Sequence, residues 1–390
     1  MEKLNICMIS KYPPHKGGTA GINYWFARTL GEMGHKIHIV TDLPESENYI
    51  KYLDKDLIEG YEPKNVKVHS HKPTLNLPVK SKISTLANTA MNVIDENDID
   101  VIDTKYFIPY GVAGFLSKLV TGKPLVTRHG GSDITYLLKS PLYNKLLVNM
   151  LKNSDKLILD PTKMDDILRL GIRKAKIECK SDFGMNIGNV NTRKTKDVLK
   201  RFDIDQKSPI IGCFGKISAC KGVPELLNAL SKIKDDFTIL LLPEDDKEHI
   251  NRLVSKFGLS KKTKILNYQS PWIMPYLYNS LTALIATEVD FPVKMHTPLT
   301  AYESFYFGKC TVISKETYQK PQFRKMEDEK NVVVVEPKDT ANYTKKLEWI
   351  LKNPKHAKRI GENARKLQDP SIGIKNAERM AKIYREVANF

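Results

Sequence analysis

Short apolar runs separated by stretches of helical periodicity recur along the whole chain. The first, 4–10 (LNICMIS), leads through a glycine-rich loop into a helical stretch over 22–33 and a second run at 36–41 (KIHIVT). Further runs at 66–69, 101–103, 124–127 and 156–159 extend the series, with helical patterns between most of them. Alternation of this kind predicts a parallel sheet with crossover helices. A polar, basic stretch over 180–207 interrupts it, and the pattern restarts at 209–215 (PIIGCFG) with a helix over 223–233 behind it. Runs at 237–242, 264–266, 283–286, 311–314 and 331–335 follow, and a charged helical run over 374–388 closes the chain. The pattern therefore predicts two doubly wound halves, alike in architecture and not repeats in sequence. Ligands of open parallel sheets bind outside the carboxyl ends of the strands, so the motifs are expected in loops lining a cleft between the halves.

At 390 residues the chain has room for two domains with their own cores, and 41% hydrophobic residues exclude a disordered basic tail. No window approaches the roughly 18 apolar residues of a membrane span, and residues 1–10 lack the flanks of a signal peptide, so a cytoplasmic protein is expected. Five scattered cysteines, none in CxxC or CxxH spacing, read as reduced and mostly buried. The net charge of +17 points to a polyanionic partner: a nucleotide phosphate, a nucleic acid or an anionic membrane face.

Four clusters carry candidate chemistry. The loop 11–21 (KYPPHKGGTAG) opens directly into a helix, where Gly17 and Gly18 let backbone amides approach a phosphate or sugar. It is neither a GxGxxG fingerprint nor a P-loop. The segment 127–133 (TRHGGSD) sets His129 at a strand's carboxyl end, able to project into the cleft, with Ser132 or Asp133 available as a helix cap. In 214–222 (FGKISACKG), Lys216 and Lys221 flank the first turn of the second half, where both can reach one diphosphate. In 295–314 (MHTPLTAYESFYFGKCTVIS), Glu303 is an acid on an otherwise apolar helix, suited to the two ribose hydroxyls of a nucleotide.

Taken in order, YPPHKGG with its following helix and GHKIHIVT, then RHGGSD, GKISACKG, TPLTAYESFYFGKCTVIS and ENARK, the chain resembles the retaining glycosyltransferases of family 4 over essentially its whole length. That resemblance implies a GT-B fold, two Rossmann-like domains facing across a cleft. It implies an acceptor-binding domain over 1–185, a donor-binding domain over 186–370 and a helix over 371–390 crossing back to the first. Lys216 and Lys221 would hold the donor's pyrophosphate and act with His129 in catalysis. Glu303 would bind the ribose, with Gly17, Gly18, Thr297, Leu299 and Thr300 completing the donor contacts. Lys16, Thr19 and Asp133 would meet the acceptor. Many members carry a second Glu eight positions before the ribose-binding one; here that position is Met295.

The implied reaction moves a hexosyl group from a UDP- or GDP-linked sugar to a hydroxyl of a glycan, lipid or lipid-linked glycan, with retention and no cofactor. Charge developing on the departing diphosphate would be met by Lys216, Lys221 and helix N-termini. Two DxD strings, at 98–100 and 203–205, precede strands and read as solvated turns, so no metal is expected. A basic and apolar stretch over 72–94 suits peripheral contact with an anionic membrane, or an ordinary loop and core helix. Two rival readings are a nucleic-acid binder using the basic clusters at 193–201 and 261–264, for which no recognised module is present, and a GT-B sugar-nucleotide epimerase.

Overall fold

In the computed structural model the described residues are 2–42, 58, 60–70, 79–130, 133–179, 184–188, 190, 192–205, 207–243, 247–292 and 296–389. They form two compact units. The first comprises 1–15, 19–186 and 371–390; the second comprises 16–18 and 187–370.

The first unit is built on seven parallel strands: β1 (Asn5–Ile9), β2 (Lys36–Val40), β3 (Val66–His69), β4 (Val101–Lys105), β5 (Leu125–Arg128), β6 (Lys156–Leu159) and β7 (Ile177–Cys179). Their order is β3-β2-β1-β4-β5-β6-β7. The central strands are buried along almost their whole length: β1 (NICMI) reads as a near-continuous apolar run, whereas β4 (VIDTK) is apolar only at Val101 and Ile102 and buries Asp103, Thr104 and Lys105 as well. Strand β7 escaped the sequence pattern because Ile177 is its only fully buried residue. Helix Val79–Glu96 turns Leu86, Ala87, Ala90, Val93 and Ile94 into the core of this unit. The apolar face considered for membrane contact is thus spent on packing, and the preceding 72–78 lie outside the described residues.

The second unit repeats the plan with β8 (Ile210–Gly215), β9 (Thr238–Pro243), β10 (Thr263–Ile265), β11 (Ala283–Ala286), β12 (Cys310–Ser314) and β13 (Val333–Val335), in the order β10-β9-β8-β11-β12-β13. Every strand pair in both sheets is parallel. In each sheet the order reverses direction between two adjacent strands, β1 and β4 in the first and β8 and β11 in the second. Connections leave to opposite sides there, which opens a crevice at the strands' carboxyl ends.

The C-terminal helix Ile372–Ala388 belongs to the first unit. Its Arg379 donates to the carbonyl of Cys179 at 2.6 Å and to Glu178 at 3.1 Å, and Tyr384 reaches Asp103. No helix among the described residues is long and apolar enough to cross a membrane. Cys7, Cys213 and Cys310 are buried, and burial pushes each thiol up to about 12.

Candidate functional site

In the first unit, His129 follows β5 with 7% exposure, and its backbone N–H donates to the carbonyl of Ile158 on β6. Next to it, a Cβ on Gly130 would lie 2.2 Å from the ring of Tyr106, so only glycine admits that ring. Tyr106 itself sits at φ +75° after β4, and its hydroxyl meets Thr19 Oγ1 at 3.2 Å. Asp133 closes the loop. Its Oδ2 accepts the N–H groups of Gly130 at 2.9 Å and Phe107 at 3.2 Å, and the residue is 1% exposed. Burial raises its carboxyl from 3.8 to about 6 against the pull of those amides. One carboxylate oxygen of Asp133, the residue expected at the acceptor, thus ties the backbone after β5 to that after β4. Gly131 and Ser132 lie outside the described residues.

Behind His129 lies a cavity of about 110 Å³ within the first unit, lined by Lys105, Arg128, His129, Trp25, Phe26 and Asn376 among others. Arg128 stands 2.5 Å from Asp103 Oδ2, and its guanidinium lies over the Phe26 ring at 4.7 Å. On the β1 side, His15 of the YPPHKGG loop has Nε2 at 3.2 Å from Asp42 Oδ1. Tyr110 donates to the same oxygen at 2.8 Å, and Lys82 stands 3.5 Å from Oδ2. Burial lowers the His15 imidazole below its ordinary value, opposed by Asp42. Sequence reasoning passed over Asp42 and Tyr110, which pattern gives no reason to pair with His15. Lys16 and Gly18 are exposed, Gly17 has φ +108°, and Thr19 is half-buried near the start of helix Gly18–Glu32.

In the second unit, Lys216 is exposed directly after β8. The turn Ala219–Lys221 follows, then Gly222 at φ +64° heads helix Val223–Ser231. A Cβ there would press to 2.9 Å on Thr287 Oγ1, so this turn demands glycine for both conformation and space. The turn is tied to the end of β11 by the Val289 N–H, which donates to the Cys220 carbonyl at 3.0 Å. Lys221 Nζ lies 2.7 Å from Glu288 Oε1 and 4.3 Å above the Phe291 ring centroid. Glu288 has a fully enclosed side chain and also meets Lys320 at 2.6 Å and His296 Nδ1 at 2.7 Å. Burial alone would push its carboxyl up; His296 and Lys221 outweigh that and hold it down at about 2. Glu288 and Lys320 were missed from sequence. The available signal for Glu288 was a carboxylate two residues beyond the apolar strand β11, a strand-end position akin to that of His129.

Helix Leu299–Tyr306 begins after Pro298, with Thr297, Leu299 and Thr300 half-buried around its first turn. Its early backbone N–H groups have no partner within the helix and suit a phosphate. Glu303 accepts a short hydrogen bond from Tyr278, whose ring stacks on Phe307 at 5.1 Å and meets Phe214 edge-on at 5.1 Å. Burial raises the Glu303 carboxyl to about 7, only partly offset by the Tyr278 hydroxyl. Trp272 is 4% exposed and packs in the interior. Met295 lies outside the described residues.

The DxD strings are engaged in turns. Asp100 accepts the Asn5 N–H at 2.7 Å, Asp98 and Asp203 take positive φ, and Asp203 pairs with Lys264 at 2.9 Å.

Residues 16–179 match the family model "Glycosyltransferase Family 4" and residues 195–367 match "Glycosyl transferases group 1". A curated relative, the N-acetyl-alpha-D-glucosaminyl L-malate synthase of Bacillus anthracis, is 27% identical over 148 residues, covering 36% of this chain and 35% of that protein. Among solved structures, HepE of Anabaena in complex with UDP-glucose aligns at a TM-score of 0.68 with 15% identity, over 98% of this chain and 99% of that one. Sucrose-phosphate synthase from Thermosynechococcus elongatus aligns at 0.69 with 17% identity, over 98% and 99%. With both family models in sequence order on two parallel sheets, one of order 3-2-1-4-5-6-7 and the other 3-2-1-4-5-6, the chain belongs to the family 4 glycosyltransferases of GT-B fold.

Proposed function

We propose that the chain is a retaining hexosyltransferase that moves a hexosyl group from a UDP- or GDP-linked sugar to an acceptor hydroxyl on a glycan, a lipid or a lipid-linked glycan. The second unit binds the donor and the first binds the acceptor. The observation that carries the reading is Lys221, an ammonium held between a buried carboxylate and an aromatic face at the switch point of the second sheet. A relative named N-acetyl-alpha-D-glucosaminyl L-malate synthase and a fold neighbour solved with UDP-glucose support the donor class.

Lys216 and Lys221, with the amides of Leu299 and Thr300, meet the charge that grows on the diphosphate as the glycosidic bond breaks. Glu303 accepts from the ribose hydroxyls. His129 stands against the reacting sugar, and the departing phosphate takes the acceptor's proton, so no protein nucleophile is required. Gly17 and Gly18 admit the donor closely, and Lys16 and Thr19 contact the acceptor. The diphosphate charge is met by lysines and amides without a metal, consistent with both DxD strings being engaged in turns.

Calorimetric titration with UDP, GDP and ADP, repeated on Lys221→Ala and with chelator, tests this. Micromolar binding of one nucleotide that collapses in the variant and ignores chelator is expected. Turnover should fall on the order of 10²-fold in Lys221→Ala. Full turnover in that variant, or activity lost to chelator and restored by manganese, would refute the assignment.

A further inference from the structure

Glu288 brings together three segments far apart in sequence. Its Oε1 stands 2.7 Å from both Lys221 Nζ and His296 Nδ1, and its Oε2 stands 2.6 Å from Lys320 Nζ. Lys320 also donates to the His296 carbonyl at 2.9 Å, which ties the residue just ahead of Thr297 to the same cluster. The backbone of Glu288 is itself fixed, since its N–H donates to Ser314 Oγ at 3.1 Å.

The cluster is layered. The Glu288 side chain has zero exposure and that of Lys320 5%, whereas those of Lys221 and His296 are 23% and 34% exposed. Two lysines against one carboxylate leave an excess positive charge, and the outer members carry it toward solvent. An ion cluster serving stability alone gains little over apolar packing of the same volume. This one instead keeps an enclosed pair in place and holds an accessible ammonium in one direction, with Phe291 4.3 Å beneath it and 4.3 Å from the His296 ring.

We propose that Glu288 is a positioning residue for diphosphate departure: it aims Lys221 and His296 at the leaving phosphate, while Lys320 balances its charge and anchors the loop that enters helix Leu299–Tyr306. This rests on the assignment of Lys221 to the donor diphosphate. Preorganised donors act where charge develops, so loss of aim lowers the rate more than it lowers ground-state binding.

The test compares Glu288→Gln, Glu288→Asp and the double variant Glu288→Gln with Lys320→Met, which removes the buried lysine left facing an amide. Thermal melting confirms folding before kcat, KM for the donor and affinity for the nucleoside diphosphate are measured. The expected result is kcat lower by roughly 10- to 100-fold in both Gln variants. Diphosphate affinity should stay within about threefold of wild type or tighten, because a negative charge has gone, and the Asp variant should recover part of kcat. Wild-type kcat in the folded Gln variants, or kcat and affinity falling together in proportion to folded protein, would overturn the proposal. If Lys221→Ala abolishes nucleotide binding and the Glu288 variants behave as wild type, only the present inference fails. If Lys221→Ala changes nothing, the donor assignment beneath it fails as well.

Discussion

Tyr384 donates a hydrogen bond to Oδ1 of Asp103 at 2.9 Å across 281 residues of sequence. The other carboxylate oxygen of Asp103 faces Arg128 at 2.5 Å, and Asp103 has no exposure. Arg128 immediately precedes His129. The C-terminal helix is thereby fastened, through one enclosed carboxylate, to the strand end that carries the candidate catalytic histidine.

Tyr384→Phe keeps the ring and removes only the donor. A buried acceptor that loses its partner costs about 1–3 kcal/mol. The urea midpoint is expected to fall by that equivalent with an unchanged slope. Asp103→Ala, which strands the Arg128 guanidinium, is expected to cost more, about 3–5 kcal/mol. An unchanged midpoint in both would show that the Asp103 carboxylate does not hold the helix, leaving its apolar face and the Arg379 contacts to do so.

Glu303 gives a pH dependence. Burial raises its carboxyl from 4.5 to about 7, so between those values the folded chain keeps a proton that the unfolded chain has released. Its stabilising contribution is full below pH 4.5 and is lost as pH rises through about 7, at roughly 1.4 kcal/mol per pH unit between them. If the ionised form accepts from ribose hydroxyls, nucleotide affinity should rise toward a plateau above pH 7, weakening about tenfold per unit below it. Calorimetry at pH 6, 7 and 8 measures this, and Glu303→Gln should flatten the profile.

Asp133 separates positioning from substrate contact. Asp133→Asn can present an oxygen to the Gly130 and Phe107 amides, whereas Asp133→Ala leaves both donors unpaired. The Asn variant is expected to keep most of its turnover and the Ala variant to lose most of it, with donor affinity unchanged in both. Equal losses in the two variants would show that the negative charge itself is used.

Gly130→Ala forces a Cβ to 2.2 Å from the Tyr106 ring. Overpacking of this kind costs about 1–3 kcal/mol and displaces the His129 loop. Tyr106→Gly suits the positive φ of that position and removes the ring, so the double variant should recover the melting temperature lost by Gly130→Ala alone. A double variant no more stable than the single one would point to some other neighbour of Gly130.

The parallel sheets were legible from the chain because strands covered on both faces must be apolar throughout: 4–10 and 283–286 announce β1 and β11 with no tertiary information. The same logic put His129, Lys216 and Lys221 in strand-end loops, since a polar residue directly beyond an apolar strand has nowhere else to go. Strand β7 was illegible because two of its three residues are only half-buried. What local pattern could not decide is which charges meet. Glu288 finds Lys221 67 residues earlier and Lys320 32 residues later, and Asp133 turns inward to two amides when its sequence neighbourhood suits either a helix cap or a substrate contact. Periodicity encodes burial one element at a time. The partners of a buried carboxylate are set by which strand ends the sheet order brings side by side, and that order exists only in the folded chain.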